Sequence, residues 1–405
     1  LQSLIPDSGQ VATAQHTGVM AEMNSARIVQ VSSQFEKGRD SPMALLWKAT
    51  AMQTNNVIVN AAKTREEAMA IVDKSIDRWE ELIMWAAGRG GGMKNLVVFP
   101  EFNLQGFPLG ESSAEWIEKA CFQIPGCAPV ERLQKIAQKF GIYLGANAYE
   151  APPEWPGRYF NCSFLIDPSG DIVLKYRRIS TAQAASPHDV LDEYLDKHGI
   201  EGLFPVAKTE IGNISMMPCG EILWPETSRC LMMRGAEVIL HPTSDHGRSE
   251  NMAWESAKRV RAAENMVYFV SANAGKIIGS PPNDTHAGNS KIIDFQGQLM
   301  VESGVAGESI NASAVIDMDA LRRARCTPTG PFGVNRIARL RSEAYAPVFS
   351  DAAFYPVNLW ADKPMDSKQR IQDALIDVIK KKVDDGILNP PSKGQALEGY
   401  DLWGS

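Results

Sequence analysis

Cys219 is the residue whose surroundings most clearly suggest chemistry. It lies in a P-C-G-E run at 218–221, between the apolar segment 211–217, which predicts a strand, and a helical pattern that begins at Pro225. A thiol between a strand end and a helix N-terminus lies near backbone N–H groups, which stabilise an oxyanion and lower the pKa of a cysteine. The sequence therefore predicts that Cys219 is a nucleophile, although a single cysteine is more often a small buried apolar residue.

Glu101 is the candidate for a general base. The short apolar segment 95–99 predicts a buried strand and carries Glu101 just beyond its carboxyl end, where catalytic groups collect in layered α/β proteins. Phe102 and Phe107 predict apolar surroundings, which would raise the pKa of the carboxyl group towards neutrality. The alternative is an exposed carboxylate at the end of a strand.

A cation for the site is expected from the K-Y-R-R run at 175–178, which ends a predicted strand. Because side chains alternate along a strand, Lys175 and Arg178 point to opposite faces if the extended conformation continues to Ile179, so only one of them can face the site. The long charged connection 180–202 is predicted to be a substrate lid. His241 and His246 lie in a loop at another predicted strand end.

Composition excludes several classes of function. The chain has 405 residues and a net charge of -7, which gives no sign of nucleic-acid binding, and no apolar stretch approaches the roughly 18 residues of a membrane span. The six cysteines lack CxxC spacing and the six histidines form no tight pair, so neither a disulfide framework nor a metal site is expected. A reducing cytoplasm fits this cysteine usage.

The hydrophobic pattern predicts an α/β protein. Apolar residues spaced for one helix face predict helices at 64–87, 129–140 and 252–265. Short apolar runs predict strands at 45–53, 142–148, 267–273 and 312–316, with hairpins at 161–176 and 289–301. Residues 1–44 are read as an N-terminal extension. Residues 326–405 are read as a C-terminal extension that carries an amphipathic helix at 366–385 and forms an oligomer contact.

Six short motifs, taken together, resemble the nitrilase superfamily of carbon–nitrogen hydrolases. They are F-P-E at 99–101, K-Y-R-R at 175–178, P-C-G-E with W-P-E at 218–226, R-G-A-E-V-I-L at 234–240, R-A-A-E-N at 261–265 and G-N-S-K-I-I-D at 288–294. Each motif alone is weak, but their order and spacing across residues 45–325 are specific.

The resemblance implies a four-layer α-β-β-α sandwich at 45–325, a homo-oligomer of two or more chains, no cofactor and a Glu–Lys–Cys triad. Glu101 matches the base and Cys219 the nucleophile. The family's lysine position falls on Arg178, which we place ahead of Lys175, three residues earlier. A local bulge that brings Lys175 to the site would restore the usual triad. The remaining predicted site residues bind substrate or the oxyanion: a second glutamate assigned to Glu193, together with Gly220, Glu221 and His241.

The predicted reaction is acyl transfer to Cys219, with Glu101 as base and a thioester intermediate that water hydrolyses. The expected substrate is a small amide or N-carbamoyl compound. A nitrile is the first alternative, because Glu221 gives the C-x-E spacing of nitrilases. A Cys–His hydrolase using His241 or His246 is another, and a non-catalytic binding protein that keeps the fold is a third. Neither a nucleic acid nor a membrane is expected as a partner.

Overall fold

The computed structural model describes residues 45–181, 184–245, 252–279, 288–305, 307–330, 332–352, 354–365 and 368–389. The predicted N-terminal extension, residues 1–44, lies outside these ranges, and so does His246. Within the described ranges, none of the helices combines the length and apolar character that crossing a bilayer requires.

Helices separate groups of one to five consecutive strands along the chain. The described helices are α1 (Arg65–Gly88), α2 (Ser113–Lys119), α3 (Ala128–Phe140), α4 (Leu191–Leu203), α5 (Pro225–Met233), α6 (Met252–Asn265), α7 (Met318–Cys326), α8 (Ser342–Asp351) and α9 (Lys368–Asp384). The described strands are β1 (Leu46–Ala51), β2 (Asn55–Val57), β3 (Asn95–Val98), β4 (Ile142–Glu150), β5 (Phe160–Ile166), β6 (Ile172–Arg177), β7 (Ala207–Thr209), β8 (Gly212–Met216), β9 (Val238–Thr243), β10 (Tyr268–Asn273), β11 (Lys276–Ile278), β12 (Lys291–Ile293), β13 (Leu299–Glu302) and β14 (Ser313–Asp317).

Two six-stranded sheets carry the site at one edge. Their strand orders are β14-β1-β3-β4-β5-β6 and β13-β12-β10-β9-β8-β7. In the first sheet β3 and β4 are parallel, β5 runs antiparallel to β4, and β6 runs antiparallel to β5. Two reversals return β6 to the direction of β3, so the carboxyl ends of both strands lie at the same edge. In the second sheet β8 and β9 are parallel, so their carboxyl ends also coincide.

Three apolar clusters define four layers. Leu96 and Leu165 of the first sheet share one cluster with Met216 and Leu240 of the second, so this cluster fills the space between the sheets. A second cluster joins the outer face of the first sheet to residues of α1 and α3, and a third joins the second sheet to residues of α5 and α6. The predicted α-β-β-α sandwich is confirmed.

Local sequence signals account for the helices that position the first sheet. The side chain of Thr64 caps α1 by accepting a hydrogen bond from the backbone N–H of Glu67. The buried residues of α1 recur every three or four positions, at Val72, Ile76 and Trp79, as predicted for one helix face. Gly141 ends α3 in the left-handed conformation, with φ of 60°, which glycine adopts without a steric penalty.

The connection 180–202 is more regular than its sequence indicates. The structure has a 3-10 turn at Pro187–Val190 followed by α4, and Gly199 interrupts that helix with φ of 62°. A glycine inside a charged, weakly periodic segment weakens the sequence signal for a helix. The prediction that this connection forms a lid stays a prediction.

Part of the C-terminal extension packs on its own chain. The backbone N–H groups of Asn358 and Trp360 donate to the carbonyls of His188 and Asp189, at 3.1 and 3.2 Å. Arg158 donates to the carbonyl of Trp360 at 2.7 Å. The predicted amphipathic helix is present as α9. The division into three segments, the homo-oligomer and the cytoplasmic location stay predictions.

The packing of α1 gives a test of how the base is supported. The ring of Trp79 is 2% exposed and stacks on Phe99, two residues before Glu101, with ring centroids 3.6 Å apart. We expect Trp79→Ala to lower the free energy of unfolding by about 3–5 kcal/mol, because it leaves a cavity beneath the end of β3. Urea denaturation measures this change.

Trp85→Ala is the matched control on the same helix, because the Trp85 side chain is 60% exposed. We expect it to change the free energy of unfolding by no more than about 0.5 kcal/mol. Equal losses in the two variants would contradict this account of the packing.

Candidate active site

Cys219 lies on a strained turn at the end of β8. Its φ of 49° is in the left-handed region, where a residue with a side chain is disfavoured by roughly 1–2 kcal/mol. The backbone around it is held in place: Met217 N–H donates to the Leu240 carbonyl at 3.0 Å, and the Cys219 carbonyl contacts His241 Nε2 at 2.9 Å. These contacts fix the turn that presents the thiol.

Glu101 is held by groups from both sheets. Its side chain has no exposed surface, and its backbone N–H donates to the carbonyl of Thr243 in β9, at 3.3 Å. The side chain of Asn56 donates to the Glu101 carbonyl, also at 3.3 Å. Glu101, the third residue after β3, is therefore fixed against the end of β9 in the facing sheet.

The carboxylate of Glu101 is surrounded by hydrogen-bond donors. Its Oε1 accepts from Asn161 Nδ2 at 2.8 Å and from Arg178 Nη1 at 3.1 Å, and its Oε2 accepts from Ser244 Oγ at 2.8 Å. The Cys219 thiol lies beside these groups, 3.9 Å from Ser244 Oγ, and interacts electrostatically with the carboxyl group of Glu101. The structure therefore brings the predicted base, cation and thiol together, although the three lie far apart in the sequence.

Electrostatics keep the thiol protonated at rest. Burial raises the pKa of Cys219 to about 12, the charge of Glu101 adds to this rise, and Arg178 opposes it. The predicted lowering of the Cys219 pKa is thus wrong, because loss of water and a nearby carboxylate outweigh the helix N-terminus. Burial also raises the pKa of Glu101, against the opposing effects of Arg178 and of its hydrogen-bond donors. A proton acceptor is therefore needed when the thiol attacks.

Arg178 is the cation of the site. We call the group formed by Glu101, Asn161, Arg178, Cys219 and Ser244 the cluster. Burial disfavours the charge of Arg178, but the carboxylate of Glu101 and the Cys219 sulfur in its thiolate form outweigh this effect and raise the pKa of the guanidinium. Its Nε donates to the carbonyl of Ser180 at 2.7 Å, which orients the planar group. A Cβ at Gly220 would lie 2.8 Å from Arg178 Nη2, so glycine at this position leaves room for the guanidinium.

Lys175 does not reach the site, and its assignment as a possible site cation is wrong. Its Nζ donates to the Ile124 carbonyl at 2.6 Å and pairs with the buried carboxylate of Glu150. The pairing of β5 with β6 is regular from Lys175 to Arg177, so no bulge rotates Lys175 towards Glu101. Side-chain alternation therefore places Lys175 and Arg178 on opposite faces.

Glu221 is a structural residue instead of a substrate ligand. Its carboxylate is fully buried and accepts hydrogen bonds from the backbone N–H groups of Ile179 and Ser180, both at 2.9 Å, and from Tyr176 Oη at 2.7 Å. These three donors flank Arg178 in the sequence. The predicted substrate-binding role is wrong, because Glu221 anchors the segment that carries the cation.

Glu193 also fails as a site residue. It lies on α4, where its side chain is 55% exposed and pairs with Lys197 at 2.7 Å, one helical turn further on. The helix that the sequence did not reveal turns this carboxylate towards solvent, so its assignment as the second glutamate is wrong.

His241 supports the turn from beneath. Its Nε2 lies 2.9 Å from the Cys219 carbonyl oxygen and its Nδ1 lies 2.9 Å from Ser271 Oγ. Burial lowers the pKa of His241 to about 4, so the ring is neutral and Nε2 carries the proton that the carbonyl accepts. The predicted substrate or oxyanion contact is wrong, and the ring faces a backbone oxygen instead of the sulfur.

Asn161 and Ser244 are site residues that the sequence analysis missed. Asn161 lies at the start of β5, which runs antiparallel to β4 and so begins at the edge where β3 ends. Ser244 directly follows β9. The available signals were polar residues at strand ends, in F-N-C-S-F at 160–164 and P-T-S-D at 242–245.

A separate cavity lies beside α1. It has a volume of about 450 Å³, and its lining includes Lys74, Arg78 and Glu308 but none of the cluster residues. Among the described residues, no group of three or more His, Cys, Asp or Glu side chains is arranged to hold a metal ion.

Comparison with known proteins places the chain among related enzymes. The family profile described as carbon-nitrogen hydrolase matches residues 48–325. Omega-amidase NIT2 of Xenopus tropicalis is 27% identical over 262 residues, which are 63% of this chain and 87% of that protein. N-carbamoylputrescine amidase of Solanum lycopersicum is 23% identical over 288 residues, which are 68% of this chain and 91% of that protein. The carbon-nitrogen hydrolase from Helicobacter pylori G27 shares the fold, with a TM-score of 0.58 at 18% identity over 75% of this chain and 98% of that one.

The buried ring of His241 predicts a pH-dependent contribution to stability. Its folded pKa of about 4 lies below the ordinary value of 6.5, so the folded state binds this proton less readily than the unfolded state. The contribution is fully present above pH 6.5 and is lost as the pH falls towards 4. The free energy of unfolding decreases by on the order of 3 kcal/mol over this range.

We expect His241→Gln, which cannot titrate, to remove this part of the pH dependence. The difference in free energy of unfolding between wild type and variant, measured in urea, should be constant above pH 7 and should shift in favour of the variant between pH 6.5 and 4. A difference that stays constant over the whole range would contradict a buried neutral imidazole.

Proposed function

The chain belongs to the carbon-nitrogen hydrolase family, and from this premise we propose that it hydrolyses a small amide or N-carbamoyl compound through a thioester on Cys219. The observation that carries the proposal is one buried carboxylate, Glu101, which accepts from the Arg178 guanidinium and is joined to the Cys219 thiol through Ser244 Oγ. Nucleophile, base and cation are the groups that acyl transfer requires.

The first half of the reaction transfers the acyl group to sulfur. Cys219 Sγ attacks the substrate carbonyl carbon while Glu101 takes the thiol proton, and the carbonyl electron pair moves to oxygen. The guanidinium of Arg178 and the backbone N–H of Gly220 stabilise this oxyanion. As the tetrahedral intermediate collapses, Glu101 returns the proton to the leaving nitrogen, and ammonia or an amine departs.

The second half releases the acid. Glu101, again ionised, takes a proton from a water molecule that attacks the thioester carbonyl, and Cys219 leaves as the thiol when the proton is returned. In each half, Glu101 accepts one proton from the attacking thiol or water and then donates it to the leaving group. A thiol with a raised pKa fits this scheme, because the protonated sulfur gains nucleophilic strength only when the carboxylate accepts its proton.

The charge of Arg178 is fixed, so its role is electrostatic. A guanidinium stays protonated at any pH that the protein tolerates and cannot shuttle a proton. Glu101 is therefore the single proton carrier of the scheme, and Arg178 balances its charge before attack and the charge of the oxyanion afterwards.

Two relatives support the proposed substrate class. One is named as an omega-amidase and another as an N-carbamoylputrescine amidase, so both names describe amidases. The argument for a nitrile depended on Glu221, but that carboxylate is fully engaged with Tyr176, Ile179 and Ser180. No other feature of the described site favours a nitrile.

An acyl adduct is the decisive test. We expect wild-type protein incubated with short amides, ω-amides of dicarboxylic acids and ureido acids to release ammonia from at least one of them. Acid quenching followed by peptide mass spectrometry should then show the acyl mass on Cys219.

Cys219→Ala should abolish both ammonia release and the adduct. Cys326→Ser is the matched control, because Cys326 is exposed, and it should behave as wild type. Ammonia released from nitriles alone would establish the alternative reaction, and a folded wild type that releases none from either class would support the non-catalytic alternative.

The two candidate cations give a second test. We expect Arg178→Met to lower kcat/KM by on the order of 100-fold or more, because it removes an oxyanion donor and the counter-charge of Glu101. Lys175→Met should stay within a few fold of wild type, because the Glu150 partner of Lys175 keeps its bond to Arg177 Nε at 2.8 Å. Steady-state kinetics on the best substrate measures both variants. A larger loss of kcat/KM in Lys175→Met than in Arg178→Met would contradict the assignment of Arg178.

A further inference from the structure

Ser244 lies between the two groups that exchange a proton in the proposed reaction. Its Oγ donates to Glu101 Oε2 at 2.8 Å and lies 3.9 Å from Cys219 Sγ. A hydroxyl has one proton to donate, and here the carboxylate takes it. The longer contact is therefore one in which the thiol is the donor and Ser244 Oγ the acceptor.

The other carboxylate oxygen is already engaged. Oε1 of Glu101 accepts from Asn161 and from Arg178, so Oε2 is the oxygen with fewer partners. Ser244 is the donor at Oε2, and a donor to the ionised form stabilises that form. This matters for a carboxylate with no exposed surface, because burial alone would favour the protonated carboxyl group, which cannot act as a base.

Ser244 is held firmly from both sides. The carbonyl of Thr243, the residue before it, accepts the backbone N–H of Glu101. The carboxylate of Asp245, the residue after it, pairs with the buried Lys258 Nζ at 2.5 Å and accepts a short hydrogen bond from Thr243 Oγ1. Asp245 and Lys258 are 3% and 1% exposed, so this pair does not shift without a large cost.

We propose that Ser244 is a further positioning residue, which keeps Glu101 ionised and holds the Cys219 thiol beside it. The effect of Ser244 on turnover rests on the proposed function. The contacts themselves involve only groups of this chain, so the effect of Ser244 on the pair is measurable without a substrate.

The test is the pH dependence of Cys219 alkylation by iodoacetamide, with the modified residue identified by peptide mass spectrometry. The attack needs an ionised Glu101, so the rate falls on the acid side as that carboxylate is protonated. We expect Ser244→Ala to move the midpoint of this fall to higher pH by about one to two units, the size expected for losing one hydrogen bond to a buried charge.

Ser215→Ala is the matched control, because Ser215 is equally a serine of the second sheet, buried in β8, and donates to the Pro205 carbonyl away from the cluster. It should keep the wild-type profile, and Ser244→Thr, which retains the hydroxyl, should keep it too. Circular dichroism verifies that each variant is folded.

Two outcomes separate the two proposals. An unmoved alkylation midpoint in folded Ser244→Ala would overturn the role of Ser244, even if the wild type hydrolyses amides. A shifted midpoint with no ammonia from any amide, ureido acid or nitrile would overturn the proposed function and leave Ser244 as the group that sets the protonation of Glu101. With an active wild type, kcat/KM of Ser244→Ala should show the same shift of its acid limb.

Discussion

The site depends on one buried charge, the carboxylate of Glu101. A carboxylate without solvent contact is costly unless a cation and hydrogen-bond donors compensate for it. Arg178 supplies the cation, and Asn161 and Ser244 supply neutral donors. These partners come from β5, the end of β6 and the end of β9, so the charge is tolerated only when both sheets are in place.

The arrangement of the sheets explains why these groups meet. Parallel strands and paired reversals bring the carboxyl ends of β3, β6, β8 and β9 to one edge, together with the start of β5. The hydrogen bond from the Glu101 N–H to the Thr243 carbonyl then joins the sheets at that edge. Helices cover the two outer faces of the sheets. The site lies at the edge where polar residues at the strand ends interrupt the apolar core.

The same burial constrains the proposed chemistry. Buried beside a carboxylate, the thiol stays protonated, so in the proposed mechanism the nucleophile is generated during attack instead of being stored as a thiolate. The strained φ of Cys219 and the neutral imidazole of His241 act on geometry alone, because they fix where the sulfur points. Glu221 has the corresponding task for the cation, since it anchors the backbone around Arg178.

The sequence alone determined features that depend on neighbouring residues. Helix periodicity, the Gly141 stop, the turn at Cys219 and the opposite facing of Lys175 and Arg178 follow from local backbone geometry, and the motifs were enough to identify the family. Contacts between distant segments were decided by the tertiary structure: that Arg178 faces Glu101 while Lys175 faces Glu150, that Glu193 lies on a helix and points to solvent, and that Asn161 and Ser244 complete the cluster. The pKa of Cys219 belongs to this second group, because it depends on water exclusion and on a charge 118 positions away in the sequence, neither of which the residues around position 219 encode.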